Sequence, residues 1–115
     1  MDKYLIFFAA GRTFGLDVAH IKEVGIPACP VRVPGAPDHV RGVIYRGGRV
    51  VPLIDFRMKL DAAEEPREQC AGVIYATANG ERFGIIVDRI GDIVAGPDVG
   101  ETTCITTVED IVFGN

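Results

Sequence analysis

Four aspartates lie closest to the strand-like segments of this 115-residue sequence, where a pair of carboxylates could act as acid and base. They are Asp17, Asp55, Asp88 and Asp92. No histidine, thiol or second carboxylate stands at a recognisable catalytic spacing from any of them. Acidic residues at strand ends commonly cap loops and stay solvated, so the sequence does not favour acid–base catalysis.

The histidines, cysteines and glycines also lack a recognisable chemical pattern. His20 and His39 are the only histidines, and neither has a second ligand at metal-binding spacing. The 3 cysteines are an odd number with wide spacing, which fits neither a disulfide framework nor a zinc site. The glycines form no phosphate-binding motif, and the sequence contains no serine nucleophile. We therefore expect no metal, no cofactor and no enzymatic activity.

Composition narrows the class of protein further. The apolar content of 48% predicts a folded core, and 115 residues suit one compact unit. A net charge of −4 gives no general attraction to nucleic acid. The longest apolar run, residues 4–10, is much shorter than the roughly 18–20 residues of a membrane span. These features predict a cytoplasmic globular protein.

Short apolar segments between glycine, proline and asparagine predict an all-β fold. The Gly47-Gly48 and Asn79-Gly80 pairs are typical of hairpin turns. Pro52 lies inside an apolar segment, which predicts an edge strand or a bulge because proline cannot donate a ladder hydrogen bond. Residues 19–24 fit a helical turn or an irregular strand, and 61–69 predict a loop. The predicted strands are 4–9, 13–18, 42–45, 49–55, 72–77 and 82–88.

An internal similarity indicates a duplicated unit. FGLDVAHIKEV from Phe14 and FGIIVDRIGDI from Phe83 align without gaps, and each follows a turn after an apolar strand. GVIY also occurs twice, at Gly42 and at Gly72. Repetition at this scale is a signature of repeated architecture, so we expect two small barrels or curled sheets.

Arg46 stands at the predicted hairpin tip, next to the two glycines. An arginine there is held away from the core, where its planar guanidinium can pair with carboxylates of a partner. A solvated turn residue fits the spacing equally well. The residues alone leave both interpretations open.

Three blocks in fixed order give the sequence a wider resemblance. They are YLIFFAAGRTFGLDVAHIKEV, VPGAPDHVRGVIYRGGRVVPLIDFRMKL and GVIYATANGERFGIIVDRIGDI. In these blocks the sequence resembles the CheW family of bacterial chemotaxis adaptors nearly end to end. The resemblance implies one domain over 1–115, made of two intertwined SH3-like β-barrels. We expect the barrels to be interleaved, roughly as 14–60 and as 1–13 with 61–115.

The resemblance also implies a function and partners. It implies a non-catalytic adaptor that couples the cytoplasmic tips of chemoreceptors to the regulatory domain of the histidine kinase CheA. Matching motif positions gives the residues expected to face the receptor: Ile21, Glu23, Arg46, Gly47, Val50 and Val51.

Two departures from the family pattern leave alternatives open. Tyr45 stands where the family more often has leucine before Arg-Gly. After residues 111–113, the family would continue into a last hairpin strand, so we expect a missing final strand and an unpaired apolar edge. Such an edge predicts a strand-completed homodimer. A CheW-like module of a larger signalling protein and a small β-barrel enzyme are the alternative interpretations.

Overall fold

The fold consists mainly of short strands. The computed structural model describes residues 2–26, 29–60 and 72–114. The strands are β1 (Lys3–Ala9), β2 (Arg12–Asp17), β3 (Ile21–Gly25), β4 (Val40–Arg46), β5 (Arg49–Asp55), β6 (Gly72–Ala78), β7 (Glu81–Val87), β8 (Arg89–Ala95) and β9 (Cys104–Thr106). The helices are α1 (Phe56–Leu60) and α2 (Val108–Phe113), and 3-10 turns cover Val18–His20 and Gly96–Asp98. The predicted loop 61–69 and Cys70 lie outside the described residues.

Tight turns create the three hairpins β1–β2, β4–β5 and β6–β7. Each connection has two residues, and both have positive φ, as the twist of a two-residue hairpin requires. The turn residues are Ala10 and Gly11, Gly47 and Gly48, and Asn79 and Gly80. The two hairpin turns predicted from Gly-Gly and Asn-Gly are therefore confirmed, and each predicted strand is present with small changes in its bounds.

The strands form two sheets that exchange segments. The first sheet has the order β8-β1-β2-β9, and the second has the order β3-β6-β7-β5-β4. The chain passes from the first sheet to the second after β2, and returns after β7. These two crossings fall within the repeated sequences that begin at Phe14 and Phe83. The duplicated unit is thus a hairpin whose following strand joins the other sheet, which intertwines the sheets.

The two sheets do not follow the predicted division into one barrel of residues 14–60 and a second barrel of residues 1–13 with 61–115. The first sheet takes residues 3–17, 89–95 and 104–106, and the second takes the strands between 21 and 87. β2 stays with β1 because the two pair along their whole length, from Tyr4 opposite Asp17 to Ala9 opposite Arg12. The predicted boundary between the barrels, at residue 14, falls within this hairpin.

One large core lies between the sheets, and a smaller one lies inside the curl of the second sheet. Because side chains alternate along a strand, β6 contributes Ile74 to the large core and Val73 and Tyr75 to the small one. Both helices add apolar side chains to the large core, including Phe56 from α1 and Ile111 from α2. No helix within the described ranges is long and apolar enough to span a bilayer.

Pro52 does not lie on an edge strand, because β5 has β4 on one side and β7 on the other. It is paired with Val43, whose backbone N–H and C=O both bond to Val31 on the far side of β4. The Pro52 nitrogen therefore points toward β7, where the parallel ladder begins only at Leu53. A strand tolerates proline there because no ladder partner stands opposite the missing N–H.

The segment after β9 is helical. Thr107 caps α2 by accepting a hydrogen bond from the Asp110 backbone N–H, and Val108 and Ile111 are buried. Lys59 donates to the carbonyls of Ile111 and Val112 near the other end. Residues 111–113 thus belong to a helix packed on the core.

Candidate protein-binding site

The hairpin arginine closes the second sheet on itself. β3 and β4 are the two edge strands of that sheet, yet Arg46 on β4 pairs with Glu23 on β3. Both Nε and Nη2 of Arg46 lie 2.5 Å from one oxygen, Oε1 of Glu23. The two side chains remain 44% and 45% exposed, so the ion pair lies at the surface. We refer to Glu23, Arg46 and the ring beneath them, Tyr75, as the seam site.

The ring of Tyr75 packs against the guanidinium group of Arg46. The guanidinium carbon of Arg46 lies 4.5 Å from the centre of the Tyr75 ring, a cation–π arrangement. Tyr75 stands on β6 opposite Glu23 of β3, so strand register brings all three residues together. The Tyr75 residue is 3% exposed, and its hydroxyl is buried without a hydrogen-bond partner among the described residues. Sequence reasoning missed this tyrosine, because it lies on a different strand from the arginine.

The two faces of the β4–β5 hairpin have different roles. Ile44 and Val51 form a cross-strand pair that points into the small core, whereas the neighbouring pair, Tyr45 and Val50, points outward. Val51 is 1% exposed, so the prediction that it faces a partner was wrong. Strand alternation explains the error, since adjacent residues such as Val50 and Val51 cannot both lie on the outer face.

Two other predicted residues lie at the border of this region. Ile21 begins β3, is half-buried and packs against the large core. Gly47 adopts a φ of 58°, and a Cβ built on it would lie 3.6 Å from Nη1 of Arg82. The positive φ of Gly47 therefore allows the turn. The side chain of Arg82 on β7 lies close to the same hairpin tip.

Apolar side chains surround the hairpin tip on its outer face. Tyr45 is 79% exposed and Val50 is 64% exposed. Val31, which is 71% exposed, pairs with Val43 and extends the same face beyond β4. Exposed apolar groups that form a contiguous patch commonly mark a protein-binding surface. This outer patch consists of Val31, Val43, Tyr45, Val50 and Pro52.

The tip is also locally basic, although the whole chain has a net charge of −4. Arg46 and Arg49 are opposite each other in the hairpin, and Arg82 is near Gly47. A surface that combines apolar side chains with arginines suits an interface, because arginine is enriched in binding hot spots. The complementary partner would present apolar and acidic side chains.

A buried ion cluster lies away from this surface and was missed by the sequence analysis. Arg57 of α1 donates to both carboxylate oxygens of Asp55 at 2.9 Å and to Asp88 at 3.1 Å. Asp88 also accepts from the Ala10 backbone N–H, which ties the β1–β2 turn to the crossing after β7. Hydrogen bonding to Asp55 raises the pKa of Arg57 above its ordinary value, against the opposing effect of burial. This cluster joins the two sheets.

The four aspartates considered for catalysis do not converge on one site. Asp55 and Asp88 share Arg57, Asp17 accepts from the Ala19 backbone N–H at the 3-10 turn, and Asp92 lies exposed on β8. Arg57 lies between Asp55 and Asp88 and donates hydrogen bonds to both. Their geometry supports an ion cluster and the capping of local backbone groups.

Comparison with known proteins places this geometry in a family. The family model described as "CheW-like domain" matches residues 3–98. "Chemotaxis protein CheW" of Bacillus subtilis is 29% identical over 93 residues, covering 81% of this chain and 60% of the relative. "Chemotaxis protein CheW" of Rhizobium meliloti is 34% identical over 98 residues, covering 82% and 61%. This chain therefore spans about three fifths of the length of these relatives.

A solved structure supports the fold independently. The crystal structure of "scaffolding protein TtCheW" from Thermoanaerobacter tengcongensis matches with a TM-score of 0.80 at 19% identity, covering 99% of this chain and 95% of that one. The predicted fold of two intertwined SH3-like barrels is confirmed by this likeness and by the exchanged sheets. With the family model matching residues 3–98, the chain belongs to the family of CheW-like domains.

Proposed function

We propose that this protein is a non-catalytic, cytoplasmic adaptor of bacterial chemotaxis, which links chemoreceptors to the histidine kinase CheA. The observation that carries the proposal is the CheW-like family match over residues 3–98. The relatives' name, chemotaxis protein, and the scaffolding title of the structural neighbour support the same role.

The receptor contact is proposed at the hairpin tip. Arg46, Gly47 and Val50 lie at this tip, Glu23 joins it through the ion pair with Arg46, and Ile21 borders it on β3. Tyr45 joins this set because it pairs with Val50 on the exposed face. A receptor tip is a helical hairpin, so the outer patch would cover apolar helix side chains while Arg46 orients the complex through charge.

Replacing Arg46 with alanine tests this assignment. The variant should bind a cytoplasmic receptor fragment at least about tenfold more weakly, because arginines at the centre of interfaces often dominate affinity. It should still fold, because an exposed ion pair contributes only about 0.2–1 kcal/mol. Binding is measured by calorimetry with a receptor fragment from the same organism, and folding is measured by urea unfolding.

Arg12→Ala provides the matched control. Arg12 also stacks on a ring, 5.2 Å from the centre of Phe14, but it lies on β2 in the first sheet. The control should bind the receptor fragment as the unmodified protein does. Equal binding by the Arg46→Ala variant would remove Arg46 from the receptor surface.

The proposed strand-completed homodimer concerns the first sheet. Its edges are β8 and the three-residue strand β9. β8 has a register shift opposite Leu5 to Phe7, and such bulges reduce pairing with another chain. We therefore expect β9 to be the edge that pairs if a dimer forms. Light scattering at high micromolar concentration tests this proposal, and a monomer there would reject it.

A further inference from the structure

We propose that the first sheet has an unfilled strand position beside β9, and that this position binds an extended segment of a partner protein. The bound segment has an aliphatic side chain that enters a groove, followed two residues later by a basic side chain. Within the described residues, the second sheet has five strands and the first has four. The inference comes from comparing the two copies of the duplicated unit, and it does not depend on the adaptor role.

The two copies fold in the same way, including their irregularities. The hairpins β1–β2 and β6–β7 correspond, and the strand that follows each hairpin joins the other sheet. These following strands, β3 and β8, each have a register shift at the same point of the repeat, after Ile21 and after Ile90. In the alignment of the repeats, Glu23 then corresponds to Asp92. The two sheets can therefore be compared residue by residue.

The strands β5 and β9 are also counterparts. β5 runs parallel to β7 with Leu53 opposite Gly84, and β9 runs parallel to β2 with Ile105 opposite Gly15. The helices α1 and α2 each begin three residues after this position. The other side of β5 is paired with β4, whereas the other side of β9 is an edge in the described part of the chain. The first sheet thus lacks the counterpart of β4.

This difference leaves β9 open where β5 is covered. Leu53 is 0% exposed, whereas its counterpart Ile105 is 49% exposed. The Asp55 backbone N–H donates to the His39 carbonyl just before β4, at 2.7 Å. The corresponding N–H, that of Thr107, has no acceptor among the backbone hydrogen bonds of the described ranges. β9 therefore presents both an apolar side chain and an unused donor to an incoming strand.

Strand register shows that the backbone of Ile105 faces the open side. The two-residue turn makes Ala9 and Arg12 a hydrogen-bonded pair, and such pairs recur at every second residue of an antiparallel ladder. Phe14 therefore bonds to β1, and Gly15 bonds to β9. In a parallel ladder, Gly15 bonds to the residues on either side of Ile105. The N–H and C=O of Ile105 consequently point away from β2.

A groove beside β1 and β8 corresponds to the small core of the second sheet. Its volume is about 440 Å³. The apolar side chains that line it are Ile6, Phe8, Ile90 and Val94. Ile6 is the counterpart of Tyr75, which belongs to the small core. Ile6 and Ile105 lie on one face of the sheet, because a Cβ built on Gly15 would lie within 3.6 Å of a Cδ1 atom of each. An aliphatic side chain of a bound strand can therefore enter this groove.

Asp92 gives the groove a negative charge at its rim. Its counterpart, Glu23, pairs with Arg46, which β4 supplies. Asp92 is exposed, and it belongs to none of the ion pairs found among the described residues. A strand in the unfilled position would place a side chain where β4 places its arginine. Charge complementarity therefore favours a basic residue there.

The pattern of β4 defines the segment that the position accepts. Ile44 enters the small core, Tyr45 points outward, and Arg46 follows two residues after Ile44. The bound segment thus runs antiparallel to β9 and repeats this order of aliphatic and basic side chains. Strand addition of this kind takes its affinity from main-chain hydrogen bonds and its specificity from alternate side chains.

A peptide with the sequence of residues 38–46, which include β4, is the probe. Its binding to the full chain is measured by fluorescence anisotropy, and amide hydrogen exchange is measured by NMR. Saturating peptide should slow exchange of the Ile105 and Thr107 amides at least about tenfold, because a paired amide exchanges only when the strand detaches. A peptide of the same composition in scrambled order should give no such protection. Unchanged exchange at both amides with about 1 mM peptide would overturn the proposal.

A charge exchange tests the role of Asp92. The Asp92→Lys variant should bind the peptide at least about threefold more weakly, and Arg46→Glu in the peptide should restore its binding to this variant. Glu81→Lys changes an exposed acid of β7 by the same charge and should bind like the unmodified protein. Circular dichroism checks that each variant is folded. If both proteins prefer the same peptide by the same factor, the contact between Asp92 and the basic residue is overturned.

A second copy of this chain is the main competing occupant, and the same amides detect it. The proposal predicts that without peptide the Ile105 amide exchanges at a rate independent of protein concentration. Protection that rises with protein concentration, together with a rising mass in light scattering, would show that a second copy fills the position. That result would overturn the assignment to a partner protein.

Discussion

Replacement of Arg57 with methionine perturbs the buried cluster that joins the two sheets. Methionine keeps an unbranched apolar side chain but removes the guanidinium. Asp55, which is 0% exposed, would lose hydrogen bonds of 2.9 Å to both of its carboxylate oxygens. It would keep the backbone N–H of residue 57 at 3.1 Å and the more distant Arg41 at 3.9 Å. The variant thus leaves a buried carboxylate with greatly weakened compensation.

Breaking one side of a buried ion pair typically costs about 3–5 kcal/mol. Small domains have a total stability of only about 5–15 kcal/mol, so the Arg57→Met variant should lose a large part of it. With a urea dependence of about 1–3 kcal/mol/M, the unfolding midpoint should fall by more than about 1 M. Urea titration followed by circular dichroism measures both the midpoint and the slope.

A double-mutant cycle identifies the cause of the loss. Asp55→Asn in the Arg57→Met background removes the uncompensated charge, so the double variant should be more stable than the sum of the single losses predicts. Arg12→Met, at an exposed arginine, should remain within about 0.5 kcal/mol of the unmodified protein. The reasoning is refuted if Arg57→Met costs less than about 1 kcal/mol, or if the two losses simply add.

Three further predictions concern pH, helix capping and backbone space. Burial and the charge of Lys59 lower the pKa of His39 from 6.5, so the unfolded chain binds the proton more readily than the folded chain does. The free energy of unfolding should therefore fall as the pH drops below about 6.5. The His39→Gln variant should show a weaker dependence of the urea midpoint on pH between about pH 7.5 and 5.5. Lys59 Nζ donates to the backbone carbonyls of Ile111 and Val112 at 2.6 and 3.0 Å. The Lys59→Met variant should therefore lose about 1–2 kcal/mol of unfolding free energy, and the amide hydrogens of α2 should exchange faster. Unchanged exchange in α2 would contradict this role. Gly42→Ala should cost at least about 2 kcal/mol, because Gly42 has a φ of 139° and its Cβ would lie 2.4 Å from the Val31 carbonyl oxygen. Gly48→Ala, where φ is 76° and the Cβ would meet no atom of the described residues within 4 Å, should cost less. Equal losses in urea unfolding would contradict the steric argument.

Local patterns predicted the hairpins well. Asn79-Gly80 and Gly47-Gly48 specify tight turns because both positions need positive φ, and period-two apolar residues specify the flanking strands. The repeat starting at Phe14 and Phe83 also indicated duplication correctly. Its structural meaning was not predictable from local pattern, because the exchange of strands between sheets depends on contacts distant in sequence.

The same limit applies to the functional residues. The pairing of Arg46 with Glu23 joins strands at opposite edges of one sheet, and Tyr75 comes from a third strand. Arg57 was missed because an arginine in a short segment of mixed polarity gives no signal of burial, although it pairs with two aspartates. Val51 is buried because side chains alternate along β5, so it cannot share the outer face with Val50. The contacts of Arg46 with Glu23 and of Arg57 with Asp88 join residues distant in sequence, so only the folded arrangement shows them, whereas the alternation along β5 is a local pattern.

The most direct test of the adaptor role is sedimentation of receptor-containing membranes with CheA from the same organism, with and without this protein. The account predicts that the protein sediments with the membranes and increases the amount of CheA that sediments with them. Arg46→Ala should reduce both quantities, whereas Arg12→Ala should reduce neither. Sedimentation of CheA that is unchanged by the protein would contradict the proposed function.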